Sequence, residues 1–439
     1  MKTVHALLLA VVVPLPSLRA DPAIGDTWVR HTIDNTATGA DGVRLDDVNG
    51  DGRLDVATGW EESGSIRAYL NPGSAAVDDP WPGVQVGTAA SPEDAVFVDL
   101  DGDGAKDVVA STEGSDKKVY VFWAPSNPAD YLDSSKWTKT TLYGSGKLWM
   151  YALPFNVDGR NGTDLIIGSR SSSARVGWLQ SPATDRRNPD KWTFSPIANV
   201  DWTENILAQD VDHDGDLDLV VADTGELSWL ENPGANSPDL SERWTRHDLG
   251  VEDGVRWTAI GDLDGDGDLD YIVPRQGESS SELLFLENIW SGVGKPEAGD
   301  FVQHLIPWPE EAGWGAKAAS IGDIDLDGKN DIVLVSGENV AGDEGLLWLS
   351  YTKDPDGGFE WTTHHLSGTE GLKFDGAPLV DLDGDGDLDV ITTEERTGLG
   401  VIWYENPTIA PVPEPSTWLL SCGCLGLAAR AYLRRRIGR

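Results

Sequence analysis

The chain has 439 residues and a formal net charge of −41, from 33 Lys and Arg against 74 Asp and Glu. That balance excludes a nucleic-acid binder built on basic patches and argues against docking on an anionic membrane surface. The 19 Trp and 39% apolar content oppose disorder, so the self-repulsion must be neutralised or spread thinly.

The first 20 residues carry Lys2, the apolar run Ala6 to Val13 and a small-residue exit at Ala20. They are expected to form a secretory signal peptide cut after Ala20, too short to span a bilayer. Residues 21–408 form the body. Both cysteines, Cys422 and Cys424, lie beyond it, so the body has no disulfide and must rely on its core or on metal.

Within the body one acidic motif recurs, Asp-x-Asp-x-Asp-Gly-x-x-Asp followed by β-type apolar residues. Copies start at Asp47, Asp99, Asn156, Asp210, Asp262, Asp323 and Asp381. Carboxylates at positions 1, 3 and 5 of a short loop converge on a point. Glycine at 6 allows the turn, a carbonyl at 7 faces inward, and position 9 is expected to close the shell. Such an oxygen set suits calcium better than magnesium. The expected ligands are Asp47, Asn49, Asp51 and Asp55; Asp99, Asp101, Asp103 and Asp107; Asp210, Asp212, Asp214 and Asp218; Asp262, Asp264, Asp266 and Asp270; Asp323, Asp325, Asp327 and Asp331; and Asp381, Asp383, Asp385 and Asp389. About six structural calcium ions would offset part of the charge. Solvated hairpin turns are the plainer explanation of any one copy, but they do not demand an acid at position 9. The third copy carries Arg160 at position 5. No metal is expected there, with the guanidinium pairing to Asp158 or Asp164.

Between the loops, a strand ending in a Trp-and-Pro signature (around Trp123, Trp178, Trp229 and Trp403) is followed by one opening with an aromatic (Trp137, Trp192, Trp244, Phe301, Trp361). Some 56 residues with four short strands make one propeller blade. The fold class is therefore all-β, a seven-bladed β-propeller. After the seventh loop no outer strand remains. The matching strand stands at Trp28 to Ile33, so the N-terminal strand is expected to complete the last blade. Deleting residues 21–34 should then destabilise the whole domain.

These units resemble FG-GAP/VCBS repeats, as in the calcium-binding propeller of integrin alpha chains. The W-x-E-N-P and W-x-x-H signatures are also similar to the propeller of fungal aldos-2-ulose dehydratases. The resemblance implies fold and metal; it carries activity poorly.

His31, His247, His304 and His364 each stand three residues after the aromatic, which reads as one structural role used four times. His213 sits inside an acidic loop at a position expected to accept many residues. No Ser/His/Asp or His-rich metal arrangement stands out. The scarce cations Arg44, Lys147, Arg256, Lys317 and Lys373 recur shortly before the acidic loops, with Trp149, Trp257, Trp314 and Phe374 near them and Trp202 beside Glu204. They are expected at one mouth of the central channel, where they would stack sugar rings and pair with acidic groups. The alternative is that the tryptophans pack between blades and the cations neutralise nearby acids. Arg160 and an insertion at Gly337 to Gly345 break the repeat pattern.

Residues 409–439 hold Val412-Pro413-Glu414-Pro415, an apolar stretch interrupted by Arg430, and an Arg-rich end. They resemble the PEP-CTERM sorting tail read by exosortases of Gram-negative bacteria. This implies a secreted or cell-surface location, an exosortase-like processing partner, and membrane contact only through the tail before processing. A calcium-binding module for extracellular polysaccharide or protein is the function expected. A carbohydrate lyase or dehydratase on the same scaffold is the alternative.

Overall fold

The computed structural model describes residues 27–234, 244–277, 280–355 and 357–409. The expected signal peptide and all but the first residue of the tail lie outside them.

Seven antiparallel sheets follow one another along the chain. Blade 1 comprises Ala40–Asp46, Asp55–Trp60, Ser65–Tyr69 and Gly83–Thr88, from the channel outward. Blades 2 to 6 repeat the order, beginning at Pro92, Leu148, Thr203, Ala259 and Trp314. In blade 7 the inner strand is split into Phe374–Asp375 and Leu379–Val380, followed by Asp389–Glu394 and Gly400–Glu405. Its outer strand is Val29–Asp34, paired antiparallel to Gly400–Glu405. The N-terminal strand thus closes the ring as expected, and its missing edge is satisfied within the chain.

The acidic motif takes the same place in every blade. It connects the inner strand to the second, with the position-9 aspartate opening the second strand opposite the last inner-strand residue. Asp46↔Asp55, Val98↔Asp107 and Gln209↔Asp218 show this register. The second strands are nearly continuous apolar runs, because both faces are covered by neighbouring blades. In blade 3, Leu165 and Ile167 pack towards blade 2, while Ile166 packs towards blade 4. Among the described residues each apolar cluster bridges two adjacent blades, so the core is a ring of interfaces. The last, around Trp60, Tyr69, Ile391 and Trp403, joins blade 7 to blade 1.

The four repeated histidines lock third strands to outer strands. His31 stacks on Trp403, His247 on Trp229, His304 on Phe285 and His364 on Trp348, with centroids 4.4, 4.1, 5.3 and 3.8 Å apart. Nε2 then meets Glu405, Glu231, Glu287 or Ser350 two residues along the partner strand. No helix among the described residues is long and apolar enough to cross a membrane.

Candidate functional sites: acidic loops and channel mouth

The loops sit at one end of the inner strands. At position 1 the carboxylate accepts N–H bonds from the residues three and five further on in blades 1, 2 and 5, and from one of the two in blades 4, 6 and 7. Asp262 takes Gly265 at 2.8 Å and Gly267 at 3.1 Å, and Asp47 takes Gly50 at 2.7 Å and Gly52 at 2.8 Å. Position 4 is left-handed: Gly50 has φ +77°, and His213 and Leu326 hold the same place at +59° and +60°. His213 is therefore at a position that favours glycine, which corrects the expectation that many residues suit it. Positions 3 and 5 each accept an N–H two residues on, as Asp264 does from Asp266 and Asp266 from Asp268.

Position 9 has a structural role of its own. In all seven loops its Oδ2 accepts the N–H of position 2, at 2.9–3.1 Å. In every blade but the sixth, Oδ1 also accepts an N–H just past the third strand, such as Asn232 at 2.7 Å on Asp218. The acid staples the loop to the end of the third strand. Asp164 of the Arg160-bearing loop does so too. An acid at position 9 therefore does not separate a metal loop from a turn. Burial pushes these aspartates up, Asp55 and Asp164 to about 6 and Asp107, Asp218, Asp270, Asp331 and Asp389 to about 7.

Several loop oxygens are buried with no hydrogen-bond partner: Asp210 Oδ1, Asp323 Oδ1, Asp385 Oδ2 and Asp387 Oδ1. Orphaned, all-oxygen donors at positions 1, 5 and 7 fit a hard dication. In the third loop Asp158 instead accepts the Arg160 backbone N–H at 2.8 Å and the Gln180 amide at 2.9 Å.

The opposite ends of the inner strands enclose a cavity of about 400 Å³ on the axis, lined from all seven blades. The inner strands of blades 1, 2, 3, 4 and 6 each carry a bulge here, which re-aims side chains into the channel. Of the expected ligand residues, Arg256, Trp257, Trp314, Lys317 and Lys373 line it. Arg44 lies just behind, its guanidinium 4.1 Å from the Tyr151 ring centre and 5.4 Å from that of Trp257. Phe374 is fully buried in the core between blades 6 and 7. Two residues do not belong: Trp149 is fully buried between blades 2 and 3, and Lys147 reaches Ser173 O at 2.5 Å, away from the cavity. The inserted segment turns back beside the mouth, where Glu344 meets His365 at 2.5 Å.

The mouth cations are paired. Arg44 bridges both oxygens of Asp94 at 2.9 and 3.1 Å, Arg256 meets Glu204 at 2.5 Å, and Lys317 meets Asp375 at 2.6 Å. Lys373 holds Glu395, and Arg170 holds Glu113 while lying 4.2 Å over Trp202. Of these acids only Glu204, beside Trp202, stands out in the sequence. Glu61, Glu113, Arg170, Gln276 and Glu395 all stand six residues after a position-9 aspartate, a periodicity that marks the channel end of the second strand.

Three lining carboxylates, Asp41, Glu61 and Glu93, have no hydrogen-bond or ion-pair partner among the described residues, and their oxygens group within 4.8 Å. Burial, then Glu113 and Glu61, push Glu93 up to about 9. Burial, then Asp375 and Glu93, drive Asp41 well above the carboxylate range. Burial also opposes ionisation of Asp375, but Lys317 and its neighbours outweigh it and hold the group at about 2. Uncompensated acid thus faces the indoles of Trp202, Trp257 and the 45%-exposed Trp314.

The profile of FG-GAP-like repeats matches residues 47–110, 210–273 and 323–392, and that of the PEP-CTERM protein-sorting motif matches residues 411–436. An aldos-2-ulose dehydratase from Phanerodontia chrysosporium is 27% identical over 123 residues, covering 24% of this chain and 13% of that protein. Among solved structures, BBS1N in complex with ARL6DN aligns with 88% of this chain and 99% of its own, at 10% identity and a TM-score of 0.47. An Agrocybe aegerita lectin specific for non-reducing terminal N-acetylglucosamine aligns with 76% of this chain and 81% of its own, at 15% identity and 0.42.

Proposed function

This chain belongs to the FG-GAP-repeat β-propellers and carries a PEP-CTERM sorting motif, and from that premise we propose that it is a calcium-stabilised binding module for an extracellular polysaccharide. The sorting motif implies secretion or a cell-surface location in a Gram-negative bacterium, with processing by an exosortase-like enzyme. Calcium would be held by the side-chain oxygens at positions 1, 3 and 5 of the six intact loops, all carboxylates except the Asn49 amide in the first, and it would supply cross-linking and charge neutralisation there. The position-9 acids support the loop beneath it.

The observation that carries the binding reading is the axial cavity, to which every blade contributes. Its indoles offer faces for sugar rings. Because its cations are already engaged, the cavity suits neutral or amine-bearing sugars better than acidic ones: the unpaired Asp41, Glu61 and Glu93 offer carboxyl groups that hydrogen-bond a neutral sugar and ionise when an ammonium group enters. A glycan-array screen with and without calcium tests this. Binding of uronate-rich glycans alone would reject the assigned ligand class, and no binding to any glycan would reject the module.

A second reading, sugar dehydration or elimination, is favoured by one feature. A carboxyl kept protonated (Glu93) and one kept ionised (Asp375) share the cavity, an arrangement suited to acid–base work. Release of an unsaturated sugar from an oligosaccharide would support it.

A further inference from the structure

The six intact loops are not equivalent, and what distinguishes them is whether a basic side chain sits on their carboxylates. In blade 2, Arg187 from blade 3 pairs with Asp101 at position 3 and reaches Asp103. In blade 4, Lys295 from blade 5 takes Asp212 Oδ2 at 2.8 Å. In blade 5, Lys353 from blade 6 takes Asp264 Oδ2 at 2.8 Å. In each, the following blade sends a cation to position 3. Blades 1 and 6 achieve a similar result locally, with Arg53 on Asp51 and Lys329 on Asp327 at 2.9 Å, both at position 5.

Blade 7 has no such partner among the described residues. Asp381 accepts only Gly384 N–H at 2.7 Å, Asp383 only Asp385 N–H at 3.0 Å, and Asp385 Oδ1 the N–H of Asp387 at 3.1 Å. Asp385 Oδ2 and Asp387 Oδ1 are buried and accept no hydrogen bond from any donor, and Asp387 is 1% exposed. The loop also joins the segment that ends the propeller, since Asp387 accepts Ile409 N–H at 2.6 Å and Asp389 accepts Asn406 N–H at 2.9 Å.

We propose that the blade 7 loop is the highest-affinity calcium site of the chain, and that the ion bound there holds the blade that closes the ring. The other five loops are weakened by a resident cation. A dication settling about 5 Å from an ammonium group meets repulsion worth roughly tenfold in affinity, even at the dielectric constant of water. Blade 7 is also the blade formed from both ends of the propeller chain, so an ion there opposes separation of Val29–Asp34 from its partner strand. This inference rests on the calcium reading above.

The test is calorimetric titration of chelator-stripped protein with calcium chloride, with melting temperature followed in parallel. The expected result is a first event of about one ion per chain that brings most of the thermal stabilisation, followed by weaker events. Asp385→Asn should abolish the first event, while Asp266→Asn in blade 5 should leave it intact. Lys353→Met should tighten one of the weaker events about tenfold. A first event that survives in Asp385→Asn, equal affinities at all loops, or no change in Lys353→Met would each overturn the ranking and leave the calcium reading standing. No bound metal in any form of the protein would overturn both.

Discussion

His31 lies flat against Trp403, ring centroids 4.4 Å apart and planes 21° from parallel, with its Nε2 2.9 Å from Glu405 Oε2. The two ends of the propeller chain are thus joined by the same His–Trp–Glu unit that blade 4 builds within itself from His247, Trp229 and Glu231. In blade 4 that unit reinforces a local hairpin. In blade 7 it reinforces a contact whose loss opens the ring.

The first prediction follows from that difference. His31→Ala and His247→Ala each remove a stack worth about 0.5–1.5 kcal/mol and a hydrogen bond worth about 1 kcal/mol. His31→Ala should lower the melting temperature by about 2–4 °C. It should also raise amide exchange selectively in residues 29–34 and 400–405. His247→Ala should lower the melt comparably but leave exchange at the closing strands unchanged. Equal exchange patterns in the two variants would contradict the closure argument.

A second prediction concerns the position-9 staple. Asp164 stands in the loop interrupted by Arg160, yet it accepts Val157 N–H at 3.1 Å and Ser181 N–H at 2.6 Å. Asp164→Ala would orphan both buried donors, at a cost of about 1–3 kcal/mol each. The loss in melting temperature should be the same in excess calcium and in chelator. Rescue by calcium would show that this loop binds metal after all.

The third is a pH dependence at the channel mouth. Glu93 titrates near 9 in the folded protein, against an ordinary value of 4.5, because burial, Glu113 and Glu61 disfavour its charge. The folded state therefore holds a proton that the unfolded state releases above pH 4.5. Stability falls as pH rises through that window, and the loss is complete above pH 9. Glu93→Gln removes this term. Its melting temperature should match the wild type near pH 4.5 and exceed it by about 2 °C or more at pH 8–9. A constant offset at all pH values would mean that the effect is packing and not ionisation.

Blade number, loop placement and ring closure were legible in the sequence because each is a repeat of chemistry, and a repeat shows itself by spacing. At position 9 the same spacing reports a structural role that needs no metal. Asp55 and its six counterparts recur because every blade has the position-2 N–H to satisfy at the loop base, and all but the sixth a second N–H at the end of the third strand, with or without metal. The mouth was read by looking for rare residues, which found Arg256 and Lys317 but left out the acids that hold them. Glu204 stood out only through its neighbour Trp202, and Asp375 is hidden among 74 carboxylates; only the fold reveals which few line the channel. Trp149 failed for the converse reason. It stands beside the inner-strand bulge between Trp149 and Tyr151, which leaves Tyr151 on the cavity lining and the indole in the core.

The last prediction uses the unpaired carboxylates. Trp257 supplies an apolar ring face on the cavity wall, while Glu61 belongs to the group with Asp41 and Glu93 that no cation holds. An amine-bearing oligosaccharide would use both. An apolar sugar face packed on an indole is worth about 0.5–1.5 kcal/mol, so Trp257→Ala should weaken binding up to roughly tenfold for amine-bearing and neutral oligosaccharides alike. Glu61→Gln should weaken only the amine-bearing ligand, and added salt should diminish that difference. Calorimetry with glucosamine and N-acetylglucosamine oligomers of equal length makes the comparison. If Glu61→Gln weakens both oligomers equally, the carboxylate acts through the shape of the cavity and not through charge. If neither variant changes binding, the ligand does not enter the channel mouth.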